Sequence, residues 1–198
     1  MSTRTRGLGS GPARRTEAIT RSASRHEPGG ARFVTAALVG PVKRVTLWVR
    51  DLERSLAVYR DALGLQVLEQ KDLEGPAIAA LVGLERARMR IVHLGDGHAT
   101  FGWVGLYEVS ATAPRPLASL PTDVRFPAYG QATVVFETAA MATLVERLQR
   151  TPGVTFVTLP TEYIKREATA AMPAGRYSEA IFTDPDGMPV SLLGYAPI

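Results

Sequence analysis

Few residue types suited to chemistry occur in this chain. Its 198 residues include no cysteine, so it cannot form a disulfide, a thiolate metal site or a cysteine nucleophile. The three histidines are His26, His93 and His98. His93 stands in an apolar stretch, where a histidine more often has a structural role than the role of a base. The sequence contains no Ser-His-Asp constellation, phosphate-binding loop or dinucleotide-binding glycine pattern. Chemistry is therefore expected from charged, amide and hydroxyl side chains.

Some of these side chains occupy alternate positions of a predicted strand. Residues 44–50 alternate with the period of two that a half-buried strand shows. One face carries Val45, Leu47 and Val49, and the other carries Arg44, Thr46 and Trp48. If the apolar face packs under a helix, the cation, the hydroxyl and the indole share the opposite face. Apolar anchors with a few polar groups are the usual makeup of a ligand pocket.

A helix is predicted after this strand. Asp51 stands at the N-cap position, and Gly64 stands where a helix ends. Between them apolar residues recur at helical spacing, at Leu52, Leu56, Tyr59 and Leu63. A further short helix begins at Pro76 and ends at Gly83. Strands are predicted over 65–69, 89–94 and 101–109. The predicted order is strand, helix, strand, short helix, strand, strand.

The same order of elements returns after a proline-rich segment. Residues 111–128 contain four prolines and little periodicity, which predicts a linker. The elements expected beyond it are a strand over 131–138, a helix over 141–148, and strands over 155–159, 177–183 and 189–193. The turn Asp184-Pro-Asp-Gly187 joins the last two strands. Val49 aligns with Phe136, and the shared pattern predicts an internal duplication.

The first 33 residues differ from the rest in charge. They contain seven arginines and two acidic residues, which leaves 16 basic and 17 acidic residues for the remaining chain. The net charge of +4 therefore belongs to this segment. It has no periodicity, which predicts a disordered basic tail ahead of a domain over 34–197. A transit peptide or a nucleic-acid-binding arm would look the same. No apolar run approaches a membrane span, and the absence of cysteine fits a cytoplasmic protein.

Two segments resemble a known superfamily. Residues 45–65, VTLWVRDLERSLAVYRDALGL, are similar to the opening strand and helix of the vicinal oxygen chelate superfamily, which includes glyoxalases, bleomycin-resistance proteins and extradiol dioxygenases. The segment DPDGMPV over 184–190 resembles the hairpin before its last strand. The likeness covers residues 42–197. It implies an α+β fold in which two tandem βαβββ modules, 42–110 and 129–197, form a concave, partly open mixed-sheet cavity.

The same resemblance implies a divalent metal, held by a His or Gln on the first strand and a Glu on the last strand of each module. Carried over position by position, these positions fall on Arg44 and Glu108 in module one and on Gln131 and Ser191 in module two. A guanidinium repels a cation, and a serine removes a carboxylate. We therefore predict a site without a metal cofactor, in which Arg44 and Glu108 pair across the sheet. The alternative is an Fe, Mn, Ni or Zn ion held by Glu108 and Gln131 with a displaced ligand or water.

Strand parity predicts the remaining lining of the cavity. Besides the pair just named, the expected ligand-binding residues are Thr46, Trp48, Val104, Leu106, Gln131, Thr133, Glu137 and Ser191. Trp103 and Tyr107 are expected on the helix side of the sheet, unless a bulge at Gly102 or Gly105 turns Trp103 inward. Structural roles are the alternative, with Trp48 as core and the cation and carboxylate as an ordinary ion pair.

Three functions follow as hypotheses. The leading one is a protein that binds a small organic ligand without the family metal, and either sequesters it or catalyses a proton transfer or rearrangement through Glu108 and Arg44. The second is a metal-dependent lyase, isomerase or extradiol-type dioxygenase that uses Glu108 and Gln131. The third is docking to a partner or nucleic acid through the arginine tail, since the near-neutral domain gives no other reason to expect nucleic acid. A homodimer that exchanges modules is an alternative to two modules closing within one chain.

Overall fold

The computed structural model describes residues 39–110 and 130–198. They belong to one compact unit, Val39–Ile198. The predicted tail over 1–33 and the predicted linker over 111–128 lie outside the described residues. Within the described ranges, no helix is both long enough and apolar enough to cross a bilayer.

Module one begins with a strand and a capped helix. Its elements are β1 (Arg44–Val49), α1 (Leu52–Leu56) with a π-helical continuation (Ala57–Ala62), β2 (Gln66–Glu74), α2 (Pro76–Leu81), β3 (Arg88–Gly95) and β4 (Trp103–Ser110). Asp51 caps α1, because its Oδ1 accepts hydrogen bonds from the backbone N–H groups of Glu53 at 3.0 Å and Arg54 at 3.1 Å. The π-helical continuation is followed by Gly64, whose φ of 81° is a left-handed value that glycine adopts without strain.

Module two repeats this plan. Its elements are β5 (Val134–Glu137), α3 (Met141–Gln149), β6 (Thr155–Lys165), β7 (Gly175–Thr183) and β8 (Pro189–Ala196). The strand order is β1-β4-β3-β2 in the first sheet and β5-β8-β7-β6 in the second. In each sheet the first strand pairs in parallel with the last, and the other pairs are antiparallel. The predicted α+β fold of two tandem βαβββ modules is confirmed, and so is the internal duplication.

The largest differences from the predicted strand bounds occur in two strands. Strand β2 continues to Glu74 instead of ending near Glu69, and β6 continues to Lys165 instead of ending near Leu159. Both strands lie at the edge of their sheet, where only one side is hydrogen-bonded to a neighbour. Most of their side chains are exposed, so no hydrophobic alternation marks their second halves.

The helix sides of the two sheets share one hydrophobic core. Its buried members come from both modules and include Leu47, Leu52, Val58, Leu94, Leu106, Leu148, Phe182, Val190 and Leu192. Polar contacts also join the modules. The Tyr59 hydroxyl donates a hydrogen bond to Asp184 Oδ2 at 2.9 Å, and both residues are buried. Arg50 forms an ion pair with Asp186 at 2.5 Å. Burial raises the pKa of the Asp184 carboxyl above its ordinary value.

Candidate functional site

Strand β1 has a core face and a concave face. Leu47 and Val49 are buried in the core under α1. Arg44, Thr46 and Trp48 alternate with them and lie on the opposite face of the sheet, which is the concave face. Trp48 is 57% exposed, so its indole does not fill the core, as the structural alternative for this residue would require.

The placement predicted for two residues of β4 is wrong. Leu106 is the cross-strand partner of Leu47, and both are buried in the same core. Val104 belongs to that core as well. Paired residues on neighbouring strands share a face, so Val104 and Leu106 point towards the helices. Trp103 and Tyr107 therefore lie on the concave face, which is the opposite of the expectation for Tyr107.

Glu108 is also not where the sequence placed it. Its cross-strand partner is Val49, on the helix side. Glu108 Oε1 accepts a hydrogen bond from the backbone N–H of Leu52 at 3.1 Å, at the start of α1. Its Oε2 accepts one from Arg90 at 3.1 Å. The predicted pair of Arg44 and Glu108 is therefore absent, because the sheet separates the two side chains.

The strand register identifies a different residue at the last-strand position of module one. Trp48 and Val135 occupy equivalent positions in the two modules, since Val49 aligns with Phe136. Val135 is the cross-strand partner of Ser191 on β8, and Trp48 is the partner of Tyr107 on β4. Tyr107 thus stands where Ser191 stands in module two.

Tyr107 ends a hydrogen-bonded chain across three strands of the concave face. The Tyr107 oxygen lies 3.0 Å from His93 Nε2, and His93 Nδ1 lies 3.0 Å from Glu69 Oε2. Because a carboxylate only accepts, Nδ1 carries the hydrogen, and Nε2 of the neutral ring accepts the hydrogen of the tyrosine hydroxyl. We refer to Glu69, His93 and Tyr107 as the polar chain.

Gly105 makes this arrangement possible. A Cβ at Gly105 would stand 2.7 Å from Cε2 of Tyr107 and 3.3 Å from Cδ2 of His93. Any other residue would therefore push the two rings apart. Without that side chain the Tyr107 ring lies flat along β4, and its hydroxyl reaches His93 on the neighbouring strand.

The environment of His93 favours the neutral imidazole. The residue is 6% exposed, and burial lowers its pKa below the ordinary value of 6.5. The Glu69 carboxylate opposes this shift of the pKa, and the nearby Arg44 guanidinium adds to it. A neutral His93 retains an acceptor nitrogen for the Tyr107 hydroxyl.

Aromatic rings and two cations surround the end of the polar chain. Trp48 packs edge-on to Tyr107 with ring centroids 5.4 Å apart. The Arg44 guanidinium carbon lies 5.7 Å from the Tyr107 ring centroid, and Lys43 Nζ lies 3.9 Å from the centroid of Trp103. We refer to Trp48, Trp103 and Tyr107 as the aromatic floor. An exposed indole and two cations at one edge suit a ligand with an apolar body and an acidic group.

The concave face of module two is more acidic. Ser191 is buried and donates a hydrogen bond to Glu179 at 2.7 Å. Strand parity puts Glu137 on the same face, where it is exposed. Gln131 and Thr133 precede β5, with Gln131 half-buried and Thr133 exposed. The structure thus separates the candidate residues of module two from the polar chain, which belongs to module one.

A cavity of about 360 Å³ lies between the modules. Its walls include Trp103 and Val104 from β4, Phe136 and Glu137 from β5, and Leu192 from β8. Trp103 therefore borders both this cavity and the concave face of module one. The polar chain itself lies outside the cavity walls.

The residues at the four family ligand positions do not fit a divalent cation. With Tyr107 in place of Glu108, they are Arg44, Tyr107, Gln131 and Ser191. Arg44 is a cation, the Tyr107 hydroxyl is bonded to His93, and Ser191 donates to a carboxylate. Among residues 39–110 and 130–198, no three His, Asp or Glu side chains come together as a metal site would require.

Sequence reasoning missed the polar chain although a signal for it existed. Glu69, His93 and Tyr107 lie on consecutive predicted strands, and each strand is joined to the next in antiparallel order. The alternation on β4 was hidden, because its core-facing and concave-facing residues are almost all apolar or aromatic. Gly105, two residues before Tyr107, marked the place where a ring could lie flat.

The chain was compared with known proteins. The family model of the Glyoxalase/Bleomycin resistance protein/Dioxygenase superfamily matches residues 42–192. A solved glyoxalase family protein from Bacillus cereus is 20% identical, with a TM-score of 0.60 over 81% of this chain and 98% of that protein. A solved glyoxalase I mutant from Zea mays is 22% identical, with a TM-score of 0.49 over 78% of this chain and 46% of that protein. No curated protein matches. The structural likenesses concern the fold alone.

Proposed function

Because the chain belongs to the Glyoxalase/Bleomycin resistance protein/Dioxygenase superfamily, we propose that it binds a small organic anion on the concave face of module one, without a divalent metal. The acidic group of the ligand contacts the Arg44 guanidinium, and its apolar body lies on the aromatic floor. The observation that carries this proposal is the Arg44 cation beside the Tyr107 ring and the exposed Trp48 indole that packs on that ring, at a position where the family implies a metal ligand.

The charges at this edge of the sheet support an anionic ligand. Arg44, the first residue of β1, and Lys43, which precedes it, are both exposed. Lys43 contacts the Trp103 ring, so a ligand body on the floor would have an ammonium group and a guanidinium within reach. A guanidinium binds a carboxylate with two parallel hydrogen bonds, which gives orientation as well as affinity.

A metal-dependent lyase, isomerase or dioxygenase has less support. That hypothesis needs Glu108 and Gln131 on one ion. Glu108 lies on the helix side and already accepts hydrogen bonds from Leu52 and Arg90. Releasing it would leave the backbone N–H of Leu52 without its acceptor and would remove one of the two carboxylates that Arg90 contacts.

The test is binding of naphthoate against naphthamide, a pair that differs in charge and hardly in shape. Tryptophan fluorescence of the purified full chain, which comes from Trp48 and Trp103 of the aromatic floor, reports binding. We expect naphthoate to bind and naphthamide to bind at least about tenfold more weakly, and Arg44→Gln to lose the difference. Arg147→Gln, on the exposed side of α3, is the matched control and should keep it. EDTA should leave the affinity unchanged.

Equal affinity of the wild type for the two probes would overturn the proposal, and so would a preference for naphthoate that survives in Arg44→Gln. Loss of binding on chelation, with recovery on adding one metal, would favour the metal-dependent function instead.

A second function, proton transfer, is favoured by the polar chain. If Tyr107 takes a proton from a bound ligand, its own hydroxyl proton passes to His93 Nε2 in the same step. The Glu69 carboxylate then stabilises the imidazolium through Nδ1–H. The hydrogen bond from Lys71 lowers the pKa of the Glu69 carboxyl, so this group is ionised at neutral pH.

Exchange of ligand hydrogens with deuterated water tests this second function. Phenylpyruvate has a carboxylate for Arg44, a ring for the floor and an acidic methylene group. We expect the protein to accelerate the exchange, and Tyr107→Phe and His93→Gln to slow it without weakening phenylpyruvate binding to the same extent. Exchange at the uncatalysed rate with bound phenylpyruvate would leave the protein as a binder and exclude proton transfer from this ligand.

A further inference from the structure

A second cavity, of about 430 Å³, is lined by residues of module two alone. It is bounded by the end of β5, the chain before β7 and the last residues of β8. The side chains that matter here are those of Glu137, Met172, Tyr177 and Tyr195, all of which line it. Neither the aromatic floor nor the polar chain contributes to its walls.

The tyrosine hydroxyls of this cavity are already engaged. Tyr177 donates to the carbonyl oxygen of Pro173 at 2.8 Å, and Tyr195 donates to that of Ala174 at 3.2 Å. Both bonds tie the rings to the chain just before β7. The Tyr195 ring, which is exposed, therefore offers π surface to the cavity, while the Tyr177 ring is buried against it and supports it.

These rings form a continuous aromatic wall. Tyr177 and Tyr195 have ring centroids 5.2 Å apart, and Tyr163 stacks on the far side of Tyr177 at 5.5 Å. Gly175 is required here, because a Cβ at that position would collide with Cε2 of Tyr195. A glycine thus lets a tyrosine ring lie flat in this module, as Gly105 does for Tyr107.

The charge beside the wall is negative. Glu137 lines the cavity and also borders the cavity between the modules. Burial, followed by the neighbouring rings and Glu137, raises the pKa of Tyr177. Glu179 lies on the same face two residues along β7, and among the described strand positions of this face Lys165, at the end of β6, is the cationic residue.

We propose that this second cavity binds a small organic cation, such as a primary or quaternary ammonium compound. A cation above a tyrosine ring is attracted by the negative face of the ring, and a carboxylate beside the ring adds a direct charge interaction. The site is separate from the anion site of module one and opposite to it in charge. Its ligand class does not depend on the function proposed above.

Choline and its uncharged carbon isostere, dimethylbutanol, are the probes. Binding to the full chain is followed by NMR, with the Met172 methyl signal as the local reporter. We expect choline to shift this signal and to bind at least about fivefold more tightly than dimethylbutanol. Glu137→Gln and Tyr195→Leu should each remove most of that preference, whereas Tyr195→Phe keeps the ring and should retain it.

Glu146→Gln is the matched carboxylate control. Glu146 is exposed on α3, pairs with Arg150 and lines neither cavity. The Glu146→Gln variant should bind choline as the wild type does. The proposal is overturned if choline and dimethylbutanol bind alike, or if choline binding is unchanged in both Glu137→Gln and Tyr195→Leu. Arg44→Gln should bind choline normally, so failure of the anion site and failure of this site are distinguishable.

Discussion

At the scale of single residues, the concave face of module one depends on what Gly105 lacks. The absent side chain lets the Tyr107 ring lie flat, and the flat ring brings its hydroxyl to His93. His93 in turn is held by Glu69 from the next strand. Three side chains thus form one hydrogen-bonded unit under the ligand position that we propose, and a change in one of them acts on the other two.

The lowered pKa of His93 predicts a pH dependence of stability. The unfolded chain binds a proton near pH 6.5, whereas the folded protein resists it until a lower pH. The stability that neutral His93 contributes to the folded protein is therefore fully present above pH 6.5. It is lost as the pH falls through the lowered pKa of the folded state. His93→Gln should flatten the fall in the free energy of unfolding below pH 6.5, measured by urea denaturation at a series of pH values.

The control for this prediction is His98→Gln. His98 is exposed in the turn after β3, where its backbone N–H is bonded to Asp96. The His98→Gln variant should show the same pH dependence of the free energy of unfolding as the wild type. An unchanged slope in His93→Gln would mean that His93 is not the group responsible.

Residue positions could be predicted from the sequence only where the two faces of a strand differ in polarity. On β1, apolar residues alternate with Arg44 and Thr46, and the alternation assigned the faces in agreement with the structure. On β4, the residues of both faces are buried, so Leu106 and Tyr107 are equally compatible with the core. The family motif then assigned Glu108 to the concave face, whereas its side chain lies on the helix side of the sheet.

At the scale of elements, Glu108 connects β4 to the start of α1. Its carboxylate accepts the backbone N–H of Leu52, one of the donors that a helix leaves unpaired at its N-terminus. Arg90 bridges the same carboxylate to Glu53 on that helix. The carboxylate also has the favourable sign for the helix dipole. The residue that the sequence offered as catalytic is thus a support of α1.

Glu108→Gln should therefore lower the free energy of unfolding, by about 1–2 kcal/mol. The amide keeps the shape of the side chain but loses the charge that Arg90 and the helix start require. Urea denaturation measures the change. Glu85→Gln, at an exposed loop position, is the matched control and should change little.

A measurement of naphthoate binding could contradict this prediction about Glu108. If the Glu108 side chain acted on the concave face, Glu108→Gln would change naphthoate affinity and leave the stability near that of the wild type. That result would restore the sequence-based assignment of Glu108.

At the scale of the whole molecule, the two modules share a fold and differ in charge. The duplication and the element order could be predicted, because turns and hydrophobic periods are local properties of the sequence. The contacts between the modules could not be predicted, since they depend on how two helix faces meet. Tyr59 was predicted only as one of the apolar residues at helical spacing in its own helix, yet its hydroxyl reaches Asp184 of module two.

Tyr59→Phe tests how strongly this contact joins the modules. The ring remains in the core, but the buried Asp184 carboxylate loses one donor and keeps the backbone N–H groups of Asp186 and Met188. We expect a loss of about 1–3 kcal/mol in the free energy of unfolding. Tyr163 is more exposed than Tyr59, so Tyr163→Phe should lower the free energy of unfolding by less. Equal denaturation midpoints for the two variants would show that the Tyr59 bond contributes little.

The parallel pairing of β1 with β4 also sets the order in which a newly made chain can assemble. During translation β1 leaves the ribosome well before Trp103 and the rest of β4, so its hydrogen-bonding edge emerges without its neighbour. Until β4 has emerged, the nascent chain exposes β1 as an unpaired strand with apolar side chains, which is a template for pairing with other chains. Synthesis that stalls before β4 should therefore yield aggregating fragments that depend on chaperones, whereas a chain elongated past Ser110 has every strand of its first sheet.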